Sequence, residues 1–505
     1  MSNHATWPPS NNNGRKVNDV VHSSIALYHP LDVIVDTPQF QRLRRVRQLG
    51  IVSMVYPSAD HSRFTHCLGT CHVAQLVVEA LRVDEKLSIT SEDALCVSIA
   101  ALCHDLGHGP YSHLFDGPFM EAVGKGGMFT HESASKKILG CIVALPHVEC
   151  ALRVYLGGEE EQERYQRNMK FIEECISPPQ MLAGDGVTWL LEGRPKEKSF
   201  LYDIVSNVHD SLDVDKYDYI LRDAKLSGVG TRFNYNSLRR IIQNIKVLTC
   251  PTLNIRRICY AKKTSDELLN LADSRRTLHD RLYQHSTVKV IESMVVQALV
   301  AADGHLSWEG DDGQMYTLST IIDNMEVYCR VDDTVLQLIE YSRNPELAKA
   351  RSYLLDITAR NLAKKVHLEE TSPRKLRKRN NNHSSRSIDL HQIADDLKSR
   401  MIENAKGIDS DDVVVVSRCL HGGLDGERHP MTQVLVYDNK TSNPMAQRLD
   451  KNWLELRTSS NNSIISFALH VGRHVQECDK ELLRTEFMEA LEEYGIRGRD
   501  PPSPI

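Results

Sequence analysis

Apolar residues fall at three- and four-residue spacing over most of the chain to about position 370, and gather into short runs beyond it. That change predicts a mainly α protein whose helical part is followed by a smaller α+β C-terminal lobe. The stretch 92–115, EDALCVSIAALCHDLGHGPYSHLF, is the centre of the helical part. Leu95, Ser98, Ala101 and Leu102 give it a helical period, and Ser91 with Asp93 gives it a polar start. The helix runs into His104 and Asp105, then into His108 and His113 in a segment interrupted by Gly107, Gly109 and Pro110. Glycine and proline let the chain turn tightly there, so several side chains can approach one space.

Upstream, Pro38 follows Asp36 or Thr37 as a cap, and Gly50 acts as a stop, which predicts a helix over 38–49. Phe40, Leu43, Val46 and Leu49 form its buried stripe, and Arg42, Arg44, Arg45 and Arg47 occupy its other faces. A helix with His66 at its beginning comes next, and helical spacing continues through Leu156, including a helix from His131, and over 159–176. A second acidic cluster lies in FLYDIVSNVHDSLDVDKYDYILRDAKLSG, from Phe200. Its apolar residues Val214, Tyr217, Ile220 and Leu221 interleave the carboxylates, so part of the cluster is buried, and buried carboxylates need a cation. Two long helices are predicted over 266–302, with Ile291, Val295, Ala298 and Ala302 as the core stripe of the second. DDVVVVSRCL, QVLVYD and SIISFALHVGR read as strands, with a closing helix over 479–494. The predicted organisation is a disordered tail at 1–13, a helical core at 14–370, a flexible basic linker at 371–388 and the lobe at 389–505.

Composition narrows the classes. At 505 residues, 41% hydrophobic and 25% charged, the chain is an ordinary soluble globular protein. A net charge of −6 gives no reason to expect wholesale nucleic-acid binding, although the basic run at 374–379 resembles a nuclear-import patch. No signal peptide is recognised at the N-terminus, and no apolar run approaches the ~18 residues of a membrane span. Twelve cysteines without such a signal point to reduced thiols in the cytoplasm or nucleus, and Cys67 and Cys71 read as core residues.

His66, His104, Asp105 and one carboxylate of the second cluster make a mixed imidazole and carboxylate set. Such donors suit Fe, Mn, Zn or Ni, and leave positions open for water. Spacing does not choose which aspartate closes the set.

His66, CHDLGHGPYSH at 103–113 and DVDKYDY at 213–219 match the H…HD…D signature of HD-domain phosphohydrolases. VDTPQFQRLRRVRQLG, HSRFTHCLG, HDLGHGPYSHLFDGPF, KSFLYDIVSN, DVDKYDYILRD and LYQH more closely resemble the SAM-and-HD-domain deoxynucleoside triphosphate (dNTP) triphosphohydrolases of animals, over about residues 15–460. No SAM domain is expected ahead of Gly14. The resemblance implies an HD-domain helical core that hydrolyses a dNTP to a deoxynucleoside and inorganic triphosphate. It implies a tightly bound transition metal (Fe, Mn or Zn) on His66, His104, Asp105 and Asp215, with Mg accompanying the nucleotides, and it places Asp213 outside the ligand set. By the same match Arg63 contacts substrate phosphate, His108 and His113 line the attack site with His131 beside them, and one of these imidazoles is the general acid. Lys216 and Arg275 hold the outer phosphates, Gln48 and Asp223 bond the 3′-hydroxyl, and Tyr219 and Tyr283 crowd the 2′ side of the sugar. The family is activated by GTP and a dNTP that bridge subunits into a homotetramer. Asp36, Gln41 and Arg44, with Lys16 nearby, match its first activator pocket, and Asn18 and Lys263 match its second. The chain departs from the family at Ser286, where a lysine is usual, and between Asn234 and Arg240. Weak binding of single-stranded nucleic acid is a side activity of the family. Two other readings remain at this point, a different HD-type nucleotide phosphohydrolase and a nucleic-acid-binding protein on the same scaffold.

Overall fold

Three helices with largely buried faces set the frame. In the computed structural model, which describes residues 6–9, 14–179, 189–372, 390–405, 407–421, 429–458 and 463–496, these are α1 (Arg63–Arg82), α2 (Ser91–Cys103) and α3 (Val214–Ser227). Both α2 and α3 pack on α1. Every residue of α2 from Asp93 to Cys103 is buried, which is why its sequence shows so little of a polar face. Its cap is Thr90 rather than Ser91: the Thr90 hydroxyl accepts from Asp93 N at 3.1 Å while the Asp93 carboxylate accepts from Thr90 N at 2.9 Å. The fold class is mainly α, as the hydrophobic spacing predicts.

The N-terminal residues form an antiparallel hairpin, β1 (Arg15–Asp19) with β2 (Ser23–Leu27). Trp7 lies within the tail expected to be disordered, yet it is buried, with its indole N–H donating to the His29 carbonyl at 3.1 Å.

The helix expected over 38–49 is much shorter. Thr37 caps a single turn, Pro38–Gln41, followed by a 3-10 turn, Arg42–Arg45. From Val46 the chain is drawn into extended pairing with the residues ahead of α1: Arg63 N donates to Val46 O at 2.9 Å and Gln48 N to His61 O at 2.9 Å. Arg42 is not on a solvated face either. It is buried, donating to Val331 O at 2.9 Å, with its guanidinium over the Tyr328 ring.

Ser265–Leu278 and Ser286–Ala302 are the two long helices expected, and Ile291, Val295, Ala298 and Ala302 are all buried. Val413–His421 and Ser463–Val471 pair antiparallel, but the third strand of their sheet is Lys364–Thr371, so the sheet takes chain from before residue 371. Leu435–Tyr437 leaves that sheet and pairs parallel with Arg256–Ala261, and Met431, Val434 and Leu454 join the main core. The lobe drawn at 389–505 is therefore not one packing unit. The polar composition of 371–388 marks a connection in the chain, and it carries no information about which sheet edge each flanking strand completes. Residues 373–388 of that connection, with the 374–379 basic run, lie outside the described residues. The described residues contain no single helix long and apolar enough to cross a membrane.

Candidate active site

His66 lies one turn into α1 and is fully buried. Its Nδ1 meets Asp218 Oδ2 at 2.8 Å, which turns Nε2 toward Asp215 Oδ1 at 3.1 Å and Asp105 Oδ2 at 3.5 Å. His104 caps the end of α2 and donates from Nδ1 to Ala101 O at 2.9 Å. Its Nε2 is buried and makes no hydrogen bond, with Asp105 Oδ1 and Asp215 Oδ1 each 3.5 Å away. Ligand atoms of His66, His104 and Asp215 all lie within 4.8 Å of one another.

The electrostatics suit a cation. Burial opposes charge on His66, but its hydrogen bonds to Asp215 and Asp218 and the charges of Asp218 and Asp105 outweigh it and push the imidazole up to about 10. Burial likewise works against the Asp105 carboxylate, which Arg63, His104 and His108 nevertheless hold well below its usual range. HD domains bind a divalent metal, and this set fits one: an orphaned, buried imidazole nitrogen faces carboxylates across a gap with no thiolate.

A second cluster stands next to the first. His108 and His131 stack at 3.9 Å, and His131 Nδ1 meets Asp116 Oδ2 at 2.6 Å. His113 is exposed, 3.5 Å from Asp116 Oδ1. Asp105 joins the two clusters, since its Oδ1 is 3.3 Å from His108 Nε2. Burial disfavours charge on both stacked rings. The Asp116 hydrogen bond reverses this at His131 and raises it, whereas Arg63 and His131 lower His108 further, well below the usual histidine range.

The turn that presents these groups does not work as its glycines suggest. Tyr111 and Ser112, not Gly107 or Gly109, take the left-handed conformation, at φ 59 and 60. They are held by Asp333 Oδ1, which accepts from Tyr111 N at 2.6 Å, and by Ser112 Oγ, which donates to Arg47 O at 2.6 Å and accepts from Arg63 Nε at 2.7 Å. Gly107 serves close packing instead: a Cβ there would strike the backbone of the His131–Val143 helix, 2.4 Å or less from Ser135 N and His131 O.

The first cluster, through Asp105 and Asp215, and the second, through His108, His113 and His131, open on a cavity of about 630 Å³, also lined by Gln48, Arg63, Lys216, Tyr219, Asp223, Arg275 and Tyr283. Tyr283 OH donates to Asp223 Oδ2 at 2.6 Å, and His61 Nε2 meets Asp223 Oδ1 at 2.8 Å. Arg275 Nε donates to Tyr219 OH at 3.2 Å. Lys216 pairs with Asp213 at 3.0 Å, and Asp213 caps α3.

Residues 63–141 match the HD domain family. The deoxynucleoside triphosphate triphosphohydrolase SAMHD1 of Bos taurus is 36% identical over 424 residues, covering 83% of this chain and 69% of the relative. That of Gallus gallus is 41% identical over 361 residues, 71% of this chain and 56% of the relative. The SAMHD1 homolog of Dictyostelium discoideum is 33% identical over 370 residues, 73% of this chain and 63% of the relative. The chain belongs to the SAMHD1 family of deoxynucleoside triphosphate triphosphohydrolases.

Within this SAMHD1-family chain the HD match carries His66, His104, Asp105 and the three site histidines, while Asp215 and most of the cavity come from sequence beyond it. The activator candidates lie elsewhere. Lys16, Asn18, Asp36, Arg44 and Lys263 are exposed, and none of them lines the cavity. Asp36 pairs with Arg15 at 2.9 Å, and Arg44 Nε donates to Gln41 Oε1 at 2.7 Å. Sequence reasoning missed Asp116, Asp218, His61 and Asp333 as site residues. Asp116 and Asp218 each stand three residues after a chosen group, His113 and Asp215, a spacing that could have flagged them. Asp333 carries no such signal.

Proposed function

We propose that this chain hydrolyses a dNTP to the deoxynucleoside and inorganic triphosphate, using a transition metal (Fe, Mn or Zn) held by His66, His104, Asp105 and Asp215, with Mg accompanying the nucleotide. The observation that carries the reading is one cavity lined by Asp105 and Asp215 of that donor set, with His66 and His104 directly behind them, by the cations Arg63, Lys216 and Arg275, and by the Tyr283–Asp223 pair. When bound, the metal supplies Lewis acidity at the α-phosphorus and a water of lowered pKa. Arg63, Lys216 and Arg275 neutralise the triphosphate, the guanidinium groups by two oxygens at a time. Water adds to the α-phosphorus, the bond to the 5′-oxygen breaks, and that oxygen takes a proton. His131 is suited to donate it, because Asp116 favours its charged form, and His108 stays neutral. Gln48 and Asp223 bond the 3′-hydroxyl, and Tyr219 and Tyr283 fill the space of a 2′-hydroxyl.

The reading includes activation by GTP and a dNTP, through assembly of a homotetramer in the cytoplasm or nucleus. The two N–H donors of guanine's Watson–Crick edge suit Asp36, where they would replace the exposed Arg15 guanidinium. Arg44 suits the triphosphate, and a nucleotide held between subunits stabilises the assembly by mass action. The test is incubation of purified, metal-loaded protein with dATP or ATP, with and without GTP, followed by product analysis. Triphosphate and deoxyadenosine should form from dATP, and ATP should stay intact. Release of pyrophosphate or orthophosphate would refute the proposed bond cleavage, and equal hydrolysis of ATP would remove the steric account of sugar choice.

A further inference from the structure

Behind His66, at the ring nitrogen opposite the one that meets Asp215, runs a buried chain of polar contacts that ends in the N-terminal hairpin. Asp218 on α3 is at its centre, and four donors fill its two oxygens. Oδ2 takes His66 Nδ1 at 2.8 Å and Arg222 Nε at 2.8 Å, and Oδ1 takes Arg222 Nη2 at 2.9 Å and His22 Nε2 at 2.6 Å. A carboxylate offers about four such sites, so this one has no freedom left to rotate. Arg222 is fixed in turn by Asp19 Oδ2 at 2.8 Å, and the other oxygen of Asp19 accepts from Val21 N at 2.8 Å and His22 N at 2.9 Å. Asp19 and His22 are the two ends of the turn joining β1 to β2.

The side chains of His22, His66, Asp218 and Arg222 are all wholly removed from solvent. The other ring nitrogen of His22 is buried without a hydrogen bond, so the imidazole is held there at the desolvation cost of one unpaired nitrogen. What it does provide is a donor to Asp218. Metal-bound imidazoles commonly rely on a carboxylate at the far nitrogen to fix the ring and raise its basicity. Here that carboxylate is itself oriented by a residue from the hairpin, 196 positions away in sequence.

We propose that His22 is a positioning residue for the metal ligand His66, acting through Asp218, so that the order of the β1–β2 hairpin and the affinity of the metal site are coupled. The inference rests on the metal assignment made above. Coupling of this kind is reciprocal: if the seated hairpin tightens the metal, the metal must in turn protect the hairpin. Lys16 and Asn18 lie on β1, so the same hairpin carries two of the residues matched to the activator pockets.

The test uses the full chain loaded with one equivalent of Mn²⁺. Transfer of the ion to a chelator is followed for the wild type, His22→Ala and His22→Gln, and amide hydrogen exchange over residues 15–27 is measured in the wild type with and without metal. Loss of His22 should speed release or weaken affinity about 10-fold or more, the lower end for an outer-shell partner. Gln at 22, whose side-chain amide can donate to Asp218, should recover part of the loss, and removing the metal should raise exchange in the hairpin. Equal retention by wild type and His22→Ala overturns the inference, as does hairpin exchange that ignores the metal. If His22→Ala does not fold, the exchange measurement on the wild type decides. A wild type that takes up no metal would overturn the metal assignment itself, and this inference with it.

Discussion

The same buried chain makes one glycine decisive for stability. Gly69 stands three residues after His66 on α1, on the same face of the helix. A Cβ added there would lie 2.7 Å from Asp218 Cγ and closer still to Asp218 Oδ1 and Arg222 Nη2. Carbon atoms pack at about 3.5–4.0 Å, so the carboxylate would have to retreat by roughly 1 Å. Hydrogen bonds of 2.6–2.9 Å do not survive such a shift together. Breaking a buried ion pair costs about 3–5 kcal/mol, and overpacking adds about 1–3. The better helix propensity of alanine returns only about 1 kcal/mol. Gly69→Ala should therefore lose at least about 3 kcal/mol, a large part of the ~5–15 kcal/mol that holds a domain folded. The control is Gly140→Ala, where nothing lies within 4 Å of an added Cβ and the residue itself is exposed; it should gain up to about 1 kcal/mol. Urea unfolding of the three proteins, with metal content measured alongside, decides the matter. A Gly69→Ala protein with the wild-type midpoint and full metal would show that Asp218 is not confined as described.

Asp215→Ala and His104→Ala should each lose the tightly held ion and at least 100-fold in turnover, because either leaves the donor set one ligand short; elemental analysis showing full occupancy in an active mutant would remove that residue from the set. Asp116→Asn should move the alkaline limb of the kcat profile to lower pH. The donor must be protonated, the Asp116 carboxylate raises His131, and the neutral amide no longer does. An unmoved limb would exclude His131 as the donor. Asp36→Ala should retain the metal but lose any rise in mass that GTP plus a dNTP produces, read by light scattering, and a wild-type response in the mutant would reassign the guanine-reading residue.

Much of the helical frame was legible because its signal is local. The stripe Ile291, Val295, Ala298 and Ala302 depends only on helical spacing, and all four residues are buried. Where a distant segment competes with local preference, the reading failed. Residues 46–49 satisfy a helical pattern, yet the chain before α1 supplies backbone partners that draw them out of a helix, and Asp333 bonds Arg47 N from 286 residues away. Arg42 fits a solvated face by type, but carbonyls and the Tyr328 ring supply the partners that let it be buried. The strand pairing of Leu435–Tyr437 with Arg256–Ala261 is of the same kind, since alternation within a strand does not name its neighbour.

The candidate site divides along a similar line, and the division has a physical basis. Groups at the two clusters belong to a few residue types with strong intrinsic chemistry, and His66, His104, Asp105 and Asp215 sit in short motifs whose spacing follows from helix ends. The groups that hold them do not have to be unusual; they have only to stand opposite. Asp218 meets His66 across 152 residues, His22 meets Asp218 across 196, and His61 meets Asp223 across 162. No local periodicity encodes such pairs. Their effect is nonetheless what arranges the visible residues: Asp218 determines which nitrogen of His66 faces Asp215 and Asp105, Asp116 favours the charged form of His131 over that of the stacked His108, and His61 with Tyr283 fixes both oxygens of Asp223. A chain could keep the whole H…HD…D signature and still lose this site by one added methyl group at position 69.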